Sequence, residues 1–451
     1  MSPKKIDLLI NCQWIIPIIP KDSILKDCAI AIDAGRIIGI FPQSEATKKF
    51  IASKVEQLDN HIVMPGLVNS HGHAAMALLR GYADDLALKP WLEDHIWPAE
   101  AKFLSEEFVA DGTQLAIAEM VKSGTTCFAD MYFFHEAIAG QVRNAGIRSQ
   151  IGFTVLDFAT PYGKDAEDYI HKGLALRDTF KDQPLIKIAC APHAPYTVGD
   201  RTLGILATYA NELDMSIHIH CHETANEVAE SLETHGCRPL ERLNNLGVLL
   251  PQTQLVHMTQ VVAEDIALVR DHGCHIMHCP KSNLKLASGF CPITKFIANG
   301  VNVSLGTDSA ASNNGLDLFS EMQTASLLAK AVSGDATSLD AHATLRMATI
   351  NGAAALGWDN EIGSLEPGKY ADLIAVKIDS ISQQPLYNPA SQLVYTNVGS
   401  QVSHSWVAGK KLLDNHQLCT IDEQSLIQKT EQWRNRIQGS NTAGQQSLYL
   451  R

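Results

Sequence analysis

Through the middle of the chain, apolar, β-branched runs alternate with segments whose apolar residues recur at helical spacing. The runs fall at 63–70, 125–130, 148–154, 186–191, 216–222, 254–257, 275–279 and 301–308. Residues 264–272 illustrate the intervening type, with Ile266 and Val269 on one face of a helix. Regular β-then-α alternation demands a parallel sheet with helical crossovers. Eight such units over roughly 250–300 residues predict a closed (β/α)8 barrel, an α/β fold of the TIM type. An open doubly wound sheet usually carries a Gly-rich phosphate loop after its first strand, and the chain has none there.

Both ends read differently. Residues 29–32 and 36–40 flank Asp33, Ala34 and Gly35, a hairpin pattern. Residues 372–376 read as a strand, and 405–407 with 411–413 form a second hairpin around Ala408-Gly409. Neither end has enough strands to bury a sheet alone. The expected solution is one small β-sandwich domain built from both, with a charged helix at about 422–438 on its outside. The expected partition is 1–63 and 367–451 for that domain and its helix, and 64–366 for the barrel.

Composition narrows the function classes. The chain has 451 residues, 45% hydrophobic and 19% charged, an ordinary globular balance. Its net charge is −13, from 36 Lys and Arg against 49 Asp and Glu, which argues against a phosphate-backbone partner. A small molecule is the expected partner, and association into a homo-oligomer stays open. No apolar run approaches the roughly 18 residues of a membrane span, so no membrane partner is expected. Lys4 and Lys5 precede an apolar stretch, but Asp7, Asn11, Gln13, Pro17 and Pro20 interrupt it, unlike a signal peptide; the pair reads as a solvated end. Ten scattered cysteines read as free thiols in a reducing cytoplasm. Cys274 and Cys279 lack the second pair that a cysteine-based metal site needs.

The chemistry gathers where barrel strands should end. His71-Gly72-His73 follows the first run, and His193 follows the fourth. His218, His220, His222 and Glu223 belong to the fifth, His257 to the sixth, His278 to the seventh and Asp308 to the eighth. Taken singly each is an ordinary residue; six strand ends at one barrel mouth make a site. Residues two apart on a strand point the same way, so His71 and His73 can grip one ion, and Gly72 lets the backbone pass close to it. Neutral imidazoles with a carboxylate suit one divalent metal, zinc first, with iron or manganese also compatible. Such a metal activates water at neutral pH. Glu223 is placed to move a proton. The helical metalloprotease motif is absent, because Thr224-Ala225-Asn226 follows His222-Glu223, and no Pro-Cys-x-x-Cys of the base-editing deaminases occurs. Spacing alone leaves His218, His220 and His222 equivalent.

Pro65-Gly66-Leu67-Val68-Asn69-Ser70-His71-Gly72-His73 resembles the opening signature of amidohydrolase-superfamily deaminases. So do His220-Cys221-His222-Glu223, His278-Cys279-Pro280-Lys281-Ser282-Asn283 and Gly306-Thr307-Asp308-Ser309. The stretch from Gly363-Ser364-Leu365 to Ala371-Asp372-Leu373 resembles the return of such barrels to their β domain. Leu79-Arg80-Gly81, Trp91-Leu92, Pro98-Ala99-Glu100 and Pro192-His193-Ala194-Pro195-Tyr196 are most similar to the branch acting on methylthioadenosine and S-adenosylhomocysteine.

The resemblance implies His71, His73, His220 and Asp308 as metal ligands, Glu223 as proton shuttle and His257 as a hydrogen-bond partner of the attacking water. It implies Glu100 at the ribose hydroxyls and His193 on the nucleoside. The implied reaction is hydrolytic deamination of an adenine nucleoside. Guanine deamination, triazine chemistry on the same barrel, and a non-catalytic binding protein are the alternatives. His278 is left between support of the mouth and substrate contact; Trp91 and Trp97 read as packing or lid residues. Some relatives place arginines after the third strand to pair with the homocysteine carboxylate. Residues 154–164 contain none, only Lys164, which favours methylthioadenosine.

Overall fold

The computed structural model describes residues 3–448, with 440–448 described only as helical backbone. The eight runs form an eight-stranded sheet in chain order: Leu67–Asn69, Thr125–Tyr132, Arg148–Val155, Ile186–Pro192, Ile217–Cys221, Thr253–His257, His275–His278 and Asn302–Leu305. Every neighbouring pair is parallel. Ser70 closes the circle by donating its N–H to the Leu305 carbonyl at 2.9 Å. Thr125–Tyr132 and Arg148–Val155 are buried along their whole length, as strands covered on both faces must be. The crossover helices begin where short polar residues cap them: Ser105 before Glu106–Lys122, Asp165 before Ala166–Phe180 and Thr224 before Ala225–His235.

The first expected run splits in two. Its residues Val63, Met64 and Pro65 finish the long strand Phe50–Pro65, which pairs with Leu373–Lys377 in the other sheet. The barrel starts only at Leu67. Gly66 is the joint, because a Cβ there would lie 2.0 Å from Thr126 Oγ1.

The second sheet combines both chain ends. Its order is Gln417–Leu418, Lys410–Asp414, Val402–Val407, Leu373–Lys377, Phe50–Pro65, Lys4–Ile15, Leu25–Asp33, Arg36–Pro42. Its core holds Leu8, Ile10, Ile15, Ile30, Ile32, Leu373 and Trp406. Arg148, fully buried at the start of the third barrel strand, pins this domain to the barrel. It donates to both carboxylate oxygens of Asp372, at 3.0 and 3.3 Å, and to the Pro184 carbonyl at 2.7 Å. Its guanidinium also lies 5.0 Å from the Tyr370 ring and 5.5 Å from Trp358. A buried pair of this kind persists only with further hydrogen bonds to its donors, and here each guanidinium nitrogen has a partner.

The terminal helix, Glu423–Leu448, departs from expectation: it runs along the barrel helix Glu106–Lys122. Trp433 meets Phe108 edge-on at 5.3 Å and donates Nε1–H to Asp111 at 3.0 Å. Lys429 reaches Asp111 at 2.8 Å, and Lys122 reaches Glu423 at 2.7 Å. Its buried Leu426, Trp433 and Ile437 form a stripe one helix wide, which fits a helix better than a sheet edge. All ten cysteines are free, most of them buried. No helix among the described residues is long and apolar enough to cross a membrane.

Candidate active site

His71, His73, His220 and Asp308 converge at the C-terminal end of the barrel. His71 Nε2 and His73 Nε2 lie 3.4 and 3.3 Å from Asp308 Oδ1, and His220 Nε2 lies 3.3 Å from His71 Nε2. His71 and His73 sit just beyond the strand that ends at Asn69, so their aim comes from loop contacts rather than from the pleat. Asp130 accepts the Ala74 N–H at 2.7 Å, and Asn69 bonds both the N–H and the hydroxyl of Thr307, tying the first and eighth loops together. Gly72 does not mark the close approach expected of it; a Cβ there would meet nothing nearer than 3.5 Å. The tight pass is at Gly306, where a Cβ would fall 2.9 Å from the His71 backbone nitrogen.

Carbonyl groups decide where the imidazole protons lie, because carbonyls only accept. His73 and His220 face the Met131 and His193 carbonyls through Nδ1, at 2.5 and 2.7 Å, so each donates there. His71 is set through a relay. Gln254 Nε2 donates to the Ala355 carbonyl at 2.7 Å, which turns Gln254 Oε1 toward His218 Nδ1 at 2.6 Å. His218 Nε2 must then accept from His71 Nδ1 at 2.7 Å. Three rings thus direct Nε2 to one point beside a carboxylate oxygen, and each neutral ring presents a lone pair there. Lone pairs so close repel unless a cation sits among them, so this donor set fits a divalent metal. Burial pushes His71 and His220 well below the ordinary imidazole range. Burial lowers His73 too, but hydrogen bonding and attraction from Asp308 outweigh it; the carboxylate that draws a proton there draws a cation as well.

The relay carries a prediction. Gln254→Leu keeps the volume and removes the acceptor that fixes His218 and, through it, His71. Metal affinity should fall about 10- to 100-fold, the usual effect of losing a group that orients a ligand. Competition with a chromophoric chelator measures it; unchanged affinity would remove Gln254 from the account.

Glu223, His257 and Asp308 share the wall beside this point. His257 Nε2 is 3.7 Å from Glu223 Oε2, and His257 Nδ1 meets Asn283 Oδ1 at 2.8 Å. Ser282 donates to Asp308 Oδ2 at 2.6 Å. The Glu227 carboxylate accepts the N–H groups of His222 and Glu223 at 2.9 and 2.7 Å, fixing the turn that carries Glu223. Burial raises the Glu223 carboxyl above its ordinary value, and His257 only partly offsets this. His257 and Asp308 have φ of +74° and +60°. Non-glycine residues held in that region cost about 1–3 kcal/mol each, a strain typical of functional sites. Sequence reasoning missed Gln254, Glu227 and Tyr132, and gave no role to Ser282 and Asn283 within their motif.

The other histidines separate. His222 has φ +52° and turns away, accepting the Leu240 N–H at 3.1 Å. His278 does not reach the substrate-sized cavity. Alternation along its strand sends it outward, to a small space lined by Cys291, Ile293 and Ala329, while Met277 takes the barrel interior.

A cavity of about 490 Å3 opens over the cluster. His73, His193, His220, Glu223, His257 and Asp308 contribute to it, and Glu100 enters from the covering helices Leu88–Pro90, Trp91–Ile96 and Trp97–Phe103. Burial pushes the Glu100 carboxyl up to about 7, against a hydrogen bond from Tyr132 at 2.6 Å. Burial lowers His193 to about 3, which keeps it neutral. Trp91 and Trp97 line the roof, and Leu156, Phe158 and Pro161 line the side. No Lys or Arg lines the cavity among the described residues, and Lys164 is exposed outside it.

The Amidohydrolase family matches residues 62–412. A 5-methylthioadenosine/S-adenosylhomocysteine deaminase of Teredinibacter turnerae is 51% identical over 432 residues, covering 96% of this chain and 98% of that protein. A protein of the same name from Saccharophagus degradans is 51% identical over 438 residues, covering 97% and 98%. The crystal structure of an adenosine deaminase from Xanthomonas campestris with bound zinc has a TM-score of 0.96 at 46% identity, covering 97% of this chain and 100% of that one. With the barrel and the histidine-aspartate cluster inside the span 62–412, and with relatives matched over nearly the whole chain, this chain belongs to the amidohydrolase family.

Proposed function

We propose that this chain hydrolytically deaminates an adenine nucleoside, giving the inosine analogue and ammonia, with 5'-methylthioadenosine the substrate that fits best. S-adenosylhomocysteine and adenosine are the neighbouring candidates. The observation that carries the proposal is one cavity holding both a proton-transfer group beside the cation-binding cluster and, from its roof, a buried carboxylate suited to ribose hydroxyls. Its volume suits a nucleoside-sized ligand. A bare guanine or triazine ring would offer Glu100 no ribose hydroxyl. The names carried by the relatives agree with this choice.

His71, His73, His220 and Asp308 would hold one divalent metal, zinc by donor type. When bound, it supplies Lewis-acid activation of a water molecule. The chain's own groups do the rest. Glu223 takes the proton released as the water oxygen bonds to C6 and delivers it to N1. His257 and Asp308 orient the water, which places the attack on one face of the ring. The proton left on the C6 oxygen then passes to the exocyclic amine, the C6–N bond breaks as C6 becomes a carbonyl, and ammonia leaves. His193 steadies the nucleoside as a neutral ring, and Glu100 accepts from the ribose hydroxyls.

Ammonia release from methylthioadenosine, S-adenosylhomocysteine, adenosine and guanine tests the proposal. A homocysteine carboxylate would find no cationic side chain in the cavity wall among the described residues. The kcat/KM for methylthioadenosine should exceed that for S-adenosylhomocysteine by about tenfold or more, equivalent to ~1.4 kcal/mol. Equal values would refute the preference, and release from guanine alone would refute the nucleoside assignment.

A further inference from the structure

We infer that Tyr132 is a positioning residue for nucleoside recognition: its hydroxyl holds one oxygen of Glu100 so that the other is aimed at the ribose hydroxyls. The inference rests on the proposed role of Glu100.

Glu100 does not come from the barrel. It lies in Trp97–Phe103, part of the covering segment, so its aim depends on how that segment is held. Tyr132 is the last residue of the second barrel strand and is 3% exposed. Its carbonyl accepts from Thr154 Oγ1 at 2.9 Å, and its ring packs 5.5 Å from Phe133. This is a fixed post. Its hydroxyl donates to Glu100 Oε1 at 2.6 Å, within the short range of charge-assisted bonds.

A carboxylate offers about four acceptor positions on two oxygens. Tyr132 occupies one of them, and no other side chain bonds Glu100 among the described residues. The second oxygen is thereby left for a ligand. Two side-chain hydrogen bonds join the segment 88–103 to the barrel among the described residues. Lys89 to Glu230, at 3.1 Å, is exposed at the edge, where such pairs contribute little. The Tyr132 bond lies inside the cavity. The burial that raises Glu100 also acts against the ionised form that accepts best, and the phenol donor opposes that tendency.

Tyr132→Phe keeps the ring and its packing and removes only the donor. Steady-state kinetics on adenosine and 2',3'-dideoxyadenosine, in the metal-loaded full chain, test the inference for Tyr132→Phe, Glu100→Gln and the double variant. Ratios between the two substrates within one preparation are independent of the active fraction. Tyr132→Phe should raise KM for adenosine about five- to tenfold, the scale of one hydrogen bond, with kcat within about twofold and KM for the dideoxy substrate unchanged. Glu100→Gln should act the same way and more strongly, and the double variant should be no worse than Glu100→Gln alone. An equal KM increase on both substrates, or additive effects in the double variant, would overturn the positioning role. If Glu100→Gln itself fails to distinguish the two substrates, the ribose assignment falls and the inference falls with it.

Discussion

Replacing His71 by alanine is expected to empty the metal site and stop turnover together. His71 is fully buried, and its Nε2 touches two other members of the cluster, Asp308 Oδ1 at 3.4 Å and His220 Nε2 at 3.3 Å. Removing it takes away one of four protein donors, the one whose Nε2 meets two of the others, and leaves two imidazoles and a carboxylate around the gap. Without the ion, the attacking water returns toward its bulk pKa of about 15.7, so a loss of roughly 10³-fold or more in kcat is expected. The substitution also strands His218 Nε2, a buried acceptor, at about 1–3 kcal/mol. His73→Ala, at a less enclosed position, separates the two effects and should lose metal with less cost in thermal stability. Elemental analysis after dialysis is the measurement. Stoichiometric metal and normal turnover in either variant would sink the four-residue centre.

The fold was legible because its signal is local. The eight apolar runs fall on the eight barrel strands, and Ala34 and Gly35 turn the chain between Leu25–Asp33 and Arg36–Pro42 as a hairpin requires. The single break, at Gly66, was hidden because two strands of different sheets abut without a polar interruption. The site was legible in part. That histidines gather at strand ends follows from alternation and position, but which of His218, His220 and His222 faces the cavity does not. His218 lies below His71 because Gln254 and Ala355 hold it there, and His222 leaves the strand because φ turns positive and the Leu240 N–H meets it. Those partners are distant in sequence. One signal was available: Gln254 is a polar residue inside the apolar strand Thr253–His257, and a buried amide demands partners. Tyr132 offered no such signal, since a tyrosine at a strand end is unremarkable until Glu100 arrives from the covering segment. The terminal helix was misplaced for a related reason: its stripe is readable, but the surface that accepts it is not.

Glu223→Gln is expected to separate chemistry from binding. The change is isosteric, and the turn that carries the side chain is held by Glu227 through backbone N–H groups, which the variant keeps. Metal content should therefore match the parent, and KM should move by no more than a few-fold. What disappears is a group that can take a proton from water and return it to the ring, a contribution of about 10²–10⁴-fold in rate. The pH profile supplies a second readout. Glu223 must begin ionised, and burial raises its pKa above the ordinary carboxyl value. The parent's kcat should fall as pH drops through that raised value, because protonation removes the base. It should level off above it. The glutamine variant has no proton to gain at that position, so its small residual rate should lack this limb. Residual activity above about a tenth of the parent's, well short of the loss expected for a general base, would assign the proton transfer elsewhere. His257, whose Nε2 is 3.7 Å from the same carboxylate, would be the group to examine next.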